Sequence, residues 1–336
     1  RVAFYPEYQY GTELRIDGVL ELPERFEGDT GRIFDYPNYF LKDNIRYVMN
    51  YPVVATTAYN QGNPIKAALL RLKQSLLDNI ARMLPEPHSS LLGGLLLGAK
   101  SSMGQDLLDD FRATGVIHIV VLSGFNVTIV AEAIMRTLAI VGVGFSAVFG
   151  SIGILFFAIM TGASSTIIRA SLMAFLVIVA RVTGNYAAVV RMLFLAAFIM
   201  LMVNPMLLLY DPGFQLSFVA TLGLIVLSPV VETYLWFIPR WRVDLRGLAA
   251  ATIATQIMVL PLILYSMGTF PPYAPIVNLL VLAGVPLTLL VGFIAALVSF
   301  VSTALALPVT LVSYLLLHYY LLVVHVFARL PFASLT

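Results

Sequence analysis

The sequence predicts a mainly α-helical, polytopic membrane bundle of about eight spanning helices, with a small N-terminal β-barrel and an amphipathic interfacial helix before it. Three observations carry this. Of 336 residues, 60% are hydrophobic and 11% charged, and the mean hydropathy is +0.90; soluble domains hold about 45–50% apolar and about 25% charged residues. From residue 116 onward, apolar runs of ~20 residues recur between short connectors bearing Gly, Pro or Arg. Before that point the chain has a water-soluble character, first alternating and turn-rich, then amphipathic.

Residues 1–60 form the first unit. Leu14-Arg15-Ile16-Asp17 and the stretch from Ile45 to Tyr51 alternate as strands do, and Glu27-Gly28-Asp29-Thr30-Gly31 is rich in turn residues, so a barrel or sandwich is expected. Eight of the sixteen tyrosines lie here. Aromatic rings on short strands suit either a small core or the stacking of bases. The unit carries six basic and nine acidic residues, a net −3, which disfavours a polyanion.

Residues 61–115 form the second. Asn63-Pro64 reads as a cap followed by a first-turn proline, and Ile65, Leu69, Leu72, Leu76, Ile80 and Met83 make one apolar stripe before Pro85 ends the helix. Lys66, Arg71, Lys73 and Arg82 lie off that stripe, the pattern of a helix on a membrane surface or against a bundle. The apolar run 91–99 is too short to span, so a re-entrant segment is expected.

The third unit, 116–336, supplies the predicted spans: 116–140, 145–161, 163–181, 187–203, 213–236, 245–267, 274–300 and 305–328. Arg240, Arg242 and Arg246 crowd one connector and Arg181 with Arg191 another, whereas 204–212 and 268–275 hold no Lys or Arg. The positive-inside rule places the first two in the cytoplasm. Everything before residue 116, and the C-terminal end, then faces outward. The chain starts at Arg1 and stops at Thr336, and further membrane segments are expected beyond these ends. Without cysteine, neither a disulfide nor a thiolate metal site can form.

Polar groups inside hydrocarbon point to function because they are costly there. The first span holds His118, Ser123-Gly124, Asn126, Thr128 and Glu132, and the glycine loosens the helix enough for its backbone to line a cavity. Arg169 is the only basic residue well inside a span, ~9 Å from its outer end at 1.5 Å per residue; snorkelling to the headgroups is the competing reading. Asp211 before Pro212-Gly213 looks like an N-cap and lies on the same outer side as Arg169, so pairing is compatible. Gln215 and Ser217 follow on that helix. His318 and His325, seven apart on one helix, are read as packing or cavity-lining residues, since chelation from one helix needs a spacing of three or four.

Several stretches together resemble the membrane domain of ComEC-type competence proteins. These are Leu95-Leu96-Leu97-Gly98, then Phe111-Arg112-Ala113-Thr114-Gly115-Val116-Ile117-His118, then Leu122-Ser123-Gly124-Phe125-Asn126-Val127. Further on come Thr161-Gly162-Ala163-Ser164-Ser165, Arg169-Ala170-Ser171-Leu172-Met173, Asn204-Pro205 and the run from Asp211 to Phe218. Near the N-terminus, Phe34-Asp35-Tyr36-Pro37-Asn38-Tyr39-Phe40 before Asn44-Ile45 is similar to the family's extracytoplasmic domain, expected to be an oligonucleotide-binding (OB-like) barrel.

The resemblance implies a channel in the cell inner (cytoplasmic) membrane that passes one DNA strand during natural transformation. Its implied partners are single-stranded DNA, membrane lipids, a DNA-receptor protein outside and a DNA-translocating ATPase inside. The path residues it suggests are Arg112, His118, Ser123, Asn126, Arg169, Asp211, Gln215 and Ser217. The metal motif of the family's metallo-β-lactamase-like domain does not occur here, and Asn126 stands where a His is common. No catalytic residue, metal or cofactor is expected within the chain.

Two other classes stay open. A small-solute secondary transporter also uses broken helices and buried polar groups. An intramembrane serine protease is suggested by Ser123-Gly124, but His118 lies five residues away, ~140° around an unbroken helix, which prevents direct contact.

Overall fold

The computed structural model describes residues 8–27, 33–99, 103–120, 127, 142–183, 189–238, 244–266 and 268–334. The chain is mainly helical. In the N-terminal unit, β1 (Glu13–Asp17) pairs antiparallel with β4 (Val53–Ala58), from Glu13 opposite Ala58 to Asp17 opposite Val53, with a bulge between Glu13 and Leu14. A second pair joins β2 (Phe26–Glu27) to β3 (Ile33–Phe34). The described residues thus give two small two-stranded sheets, short of the expected barrel. Between them lies the short helix α1 (Tyr36–Leu41), started by Asp35, whose carboxylate accepts from the Asn38 amide and side chain.

Helix α2 (Pro64–Met83) begins as the sequence predicts. The Asn63 side chain accepts from the Ile65 and Lys66 amides at 2.9 and 3.2 Å, and Pro64 takes a position whose N–H would be unpaired anyway. The first half of its apolar stripe, with Ile65 and Leu72, stays exposed, while the second half is buried. Leu76, Ile80 and Leu84 enter a core shared with α3 (His88–Leu97), α4 (Gln105–Ala113), α5 (Ile117–Val120), α13 (Ala274–Leu282), α14 (Val285–Ser299) and α15 (Thr303–Ala328). Met83 Sδ accepts from Thr310 on α15 at 3.5 Å. The polar stripe Arg71, Ser75, Asp78 and Arg82 stays exposed.

The predicted re-entrant segment is α3, buried over nearly its whole length and too short to span. Close packing holds it: a Cβ on Gly292 of α14 would lie 2.5 Å from Leu92, and one on Gly94 would lie 3.0 Å from Val120 of α5.

The remaining helices are α6 (Val143–Thr161), α7 (Ser165–Thr183), α8 (Val189–Val203), α9 (Leu207–Tyr210), α10 (Pro212–Leu222), α11 (Ser228–Tyr234) and α12 (Leu245–Ser266). A second core joins α6 and α7 through Ile154, Phe157, Ile167 and Ile178.

Eight straight spans are not what the described residues show. Two helices, α12 and α15, are long and apolar enough to cross a membrane, and up to four spans result if two bent pairs count as one each. One pair joins α10 to α11 through a π-helical turn, Gly223–Leu227, with a 49° bend; the other joins α13 to α14 at 45°. The second bend falls at Gly284 and Pro286, residues that break a helix, and Gly284 there packs against the Tyr320 phenol, which hydrogen-bonds Thr288 at 2.7 Å. The first predicted span falls largely outside the described residues. Large apolar side chains such as Phe149, Phe194, Phe293, Leu311 and Leu322 are exposed along these helices, as lipid-facing surfaces are in a membrane protein.

Candidate functional site

The polar groups of the second half gather where α7 and α10 meet. Asp211 is the N-cap of α10: its Oδ1 accepts from the Gly213 and Phe214 amides at 2.9 and 3.3 Å, and Pro212 follows as the first helical residue. Its Oδ2 accepts from Ser165, the first residue of α7. Space at this junction is tight at Gly213, where a Cβ would sit 3.1 Å from Asp211 Oδ1 and 3.6 Å from Thr166 Oγ1.

Arg169 lies one turn after Ser165 and therefore on the same face of α7, ~6 Å into the helix. It is 7% exposed. Its Nη1 donates to Thr221 Oγ1 of α10 at 3.0 Å and approaches Met173 Sδ at 3.7 Å. The guanidinium carbon lies 5.7 Å from the Phe218 ring centroid. Its Nε–H is buried without a partner. Asp211 does not neutralise it, since that carboxylate is taken by Ser165 and the two amides. The compatible Arg169–Asp211 pair is therefore not formed, and among the described residues the buried cation has neutral hydrogen-bond and ring partners.

Gln215 turns away from this group: its Nε2 donates to the Leu208 and Leu209 carbonyls at 2.8 and 3.1 Å, closing the end of α9. Ser217 contributes its carbonyl, which accepts from Thr221 at 2.8 Å. The N-terminal unit reaches the same end of the bundle, where Asn204 donates to the Lys42 carbonyl at 2.6 Å. Lys42 Nζ lies 2.9 Å from Asp43 and 4.7 Å from the Tyr39 ring centroid. Burial works against the Lys42 charge, but the Asp43 contact and the field of Asp211 outweigh it and push its pKa up.

Arg112 and His118 sit elsewhere, on α4 and α5. Arg112 is exposed and pairs with Asp109. His118, on α5, is exposed. Ser123 and Asn126 lie outside the described residues. His325 pairs with Asp110 at 3.0 Å, and His318 faces His88 at 3.4 Å. No cluster of three or more metal-binding side chains occurs among the described residues.

Sequence reasoning missed Ser165 and Thr221 as site residues. Ser165 ends the Thr161–Ser165 motif; Thr221 had no signal beyond standing one turn after Ser217. His88, following Glu86-Pro87, gave no signal either.

A family model described as "Competence protein" matches residues 95–336. The chain is 23% identical over 294 residues to ComE operon protein 3 of Bacillus subtilis (strain 168), covering 85% of this chain and 35% of that protein. It thus spans about a third of the length of this curated relative. No solved structure matches. The Arg169 motif and the Asp211 cap fall inside the matched region, which also takes in the last residues of α3, and the chain belongs to the competence protein family.

Proposed function

We propose that this membrane domain serves DNA uptake by passing a single DNA strand across the cytoplasmic membrane during natural transformation. Family membership supports a role in competence and DNA uptake. The passage itself rests on Arg169, a buried guanidinium one turn into α7 with an unpartnered Nε–H and, among the described residues, no carboxylate partner. A cation held in that way lacks its counter-charge, and a phosphate group supplies both the charge and a two-pronged acceptor. One such site binds weakly enough to let a strand move on.

A half-buried ring cluster of the N-terminal unit fits an entry role. Tyr36, Tyr39 and Phe40 cluster with ring centroids 4.3–6.5 Å apart beside Lys42, and flat rings next to a cation stack unpaired bases without regard to sequence. In this reading the N-terminal unit faces outward and the Arg-rich connectors inward. Single-stranded DNA is the cargo, a receptor delivers it and an ATPase draws it in.

Uptake of end-labelled DNA separates this from solute transport. Cells lacking the protein are expected to accumulate no labelled strand in the cytoplasm, with recovery on complementation, and the wild-type protein is expected to be insensitive to competing sugars or amino acids. Undiminished strand entry in the deletion strain contradicts the proposal, and saturable uptake of one small solute in its place supports a transporter.

A further inference from the structure

Away from Arg169, the first core contains a polar contact that its apolar surroundings do not explain. His88 opens α3, and its Nε2 lies 3.4 Å from Nδ1 of His318 on α15. The two rings are 12° from parallel with centroids 5.6 Å apart, and Tyr314, one turn earlier on α15, stacks on His88 at 4.4 Å. His88 is 6% exposed. His318 stands ten residues from the Ala328 end of α15 and fifteen from Thr303, roughly 15 and 23 Å along the helix. The pair therefore sits near the middle of a helix long enough to span.

Few charges reach it. Glu86 accepts from the Ser90 amide at 3.3 Å and acts on His88 through space. The Pro85 carbonyl accepts from the His88 and Ser89 amides at 3.0 and 3.1 Å. From α15 the only ionisable neighbours are Tyr314 and His318 itself, because His325 is held by Asp110. Helix α14 has no ionisable side chain, α2 brings Met83 and Leu84, and α5, with His118, meets α3 through Val120 against Gly94.

Two imidazoles facing each other through nitrogen share protons in a definite order. With both neutral, one ring donates N–H and the other accepts. One added proton, taken from water, converts the acceptor-poor pair into imidazolium facing imidazole, a charge-assisted contact. A second places two cations 5.6 Å apart, where repulsion at an effective dielectric of ~20 weakens binding on the order of a hundredfold. Packing alone would be served by two apolar rings. Instead His88 Nδ1, Ser89 Oγ and Ser313 Oγ, all buried on these two helices, have no protein partner. Such unspent hydrogen-bonding capacity beside a histidine pair is what a proton needs to arrive and leave.

We propose that His88 and His318 form a site for a single proton in the middle of the membrane domain, bridging the short helix α3 to α15. It goes beyond the DNA-passage reading and stands whatever the path carries. The chain contains four histidines, so imidazole resonances of the full chain in lipid nanodiscs can be assigned with one substitution each. Titrated by NMR from about pH 4 to about pH 9, the His88 and His318 signals are expected to move together and take up one proton between them. In His318→Asn and in His318→Phe, the His88 midpoint should move by about one pH unit or more. Independent one-proton curves for the two rings, unchanged when either partner is removed, overturn the proposal. So does absence of any titration by both, which leaves them as packing rings. If the variants fail to fold, the shape of the wild-type curves alone decides.

Discussion

Replacing Arg169 by Met should leave the protein folded while stopping strand passage. Met preserves the length and apolar stem of the side chain and removes the guanidinium. A charge at span depth costs about 2.5–3.5 kcal/mol on insertion scales, and the unpaired Nε–H adds about 1 kcal/mol. Against this, the variant loses the Thr221 hydrogen bond at 3.0 Å, about 1.5–3 kcal/mol for a charged donor. It also loses the Phe218 ring contact at 5.7 Å, about 0.5–1 kcal/mol. The terms nearly cancel, with a remainder of about 1 kcal/mol in favour of Met. Thermal or SDS unfolding in detergent should therefore show Arg169→Met to be as stable as the parent or slightly more so. Transformation frequency at matched protein level should fall by tenfold or more, and Arg169→Lys should keep part of it, since the charge remains without the planar fork. A loss of more than about 2 kcal/mol in Arg169→Met would show the guanidinium to be structural, and full uptake by that variant would refute its role in the path.

Other consequences follow from the same geometry. Asp211→Ala removes the cap on Gly213 and Phe214 together with the Ser165 acceptor, and should cost about 1–3 kcal/mol in an unfolding assay; Asp211→Asn, which keeps the cap oxygen, should cost clearly less. Because the Lys42 pKa is raised by folding, the stability its charge provides is complete below the usual lysine range and is lost only as pH rises through the elevated folded value; the isotope-labelled, dimethylated Lys42 amine should titrate above an ordinary lysine, and a midpoint at or below it contradicts the contact with Asp43 and Asp211. In the cysteine-free chain, Ser75→Cys on the exposed stripe of α2 should react with a charged maleimide in membranes while Leu76→Cys in the core should not; equal reactivity refutes the packing of α2. Asp35→Cys and Thr269→Cys should label from outside intact cells, and protection of both reverses the proposed orientation.

Local signals in the sequence translated well into structure. Asn63-Pro64 starts α2 and Pro85 follows its end, Asp211-Pro212 caps α10, and the short apolar run after Pro87 becomes a buried helix. Each of these depends on neighbours within a few residues. The span count did not translate in the same way, because hydropathy averages over the bend between α13 and α14 at Gly284 and Pro286. The π-helical turn after Leu222 is likewise invisible to an average. One strand of the first unit was legible as alternation at Leu14–Asp17, but the stretch from Ile45 to Tyr51, which also alternates, makes only a single bridge at Val48, the partner strand being Val53–Ala58; two small sheets rather than a barrel are what the described residues form.

At the site, the sequence marked Arg169 by its scarcity and Asp211 by its cap position. It could not show that Ser165 would occupy the carboxylate and leave the guanidinium to Thr221, since that depends on how α7 and α10 meet. The pairing of His88 with His318 is equally a product of packing, joining residues 230 apart, and it separates His318 from the His325 with which spacing had grouped it.

The central claim, that a DNA strand passes the Arg169 site, is tested most directly by placing a photo-crosslinking amino acid at Thr221, the residue that holds the guanidinium. Irradiation while labelled DNA is in transit should attach a single strand to the protein at that position, and an equivalent probe at lipid-facing Phe194 should attach none. Continued uptake with no DNA captured at Thr221 would contradict the account.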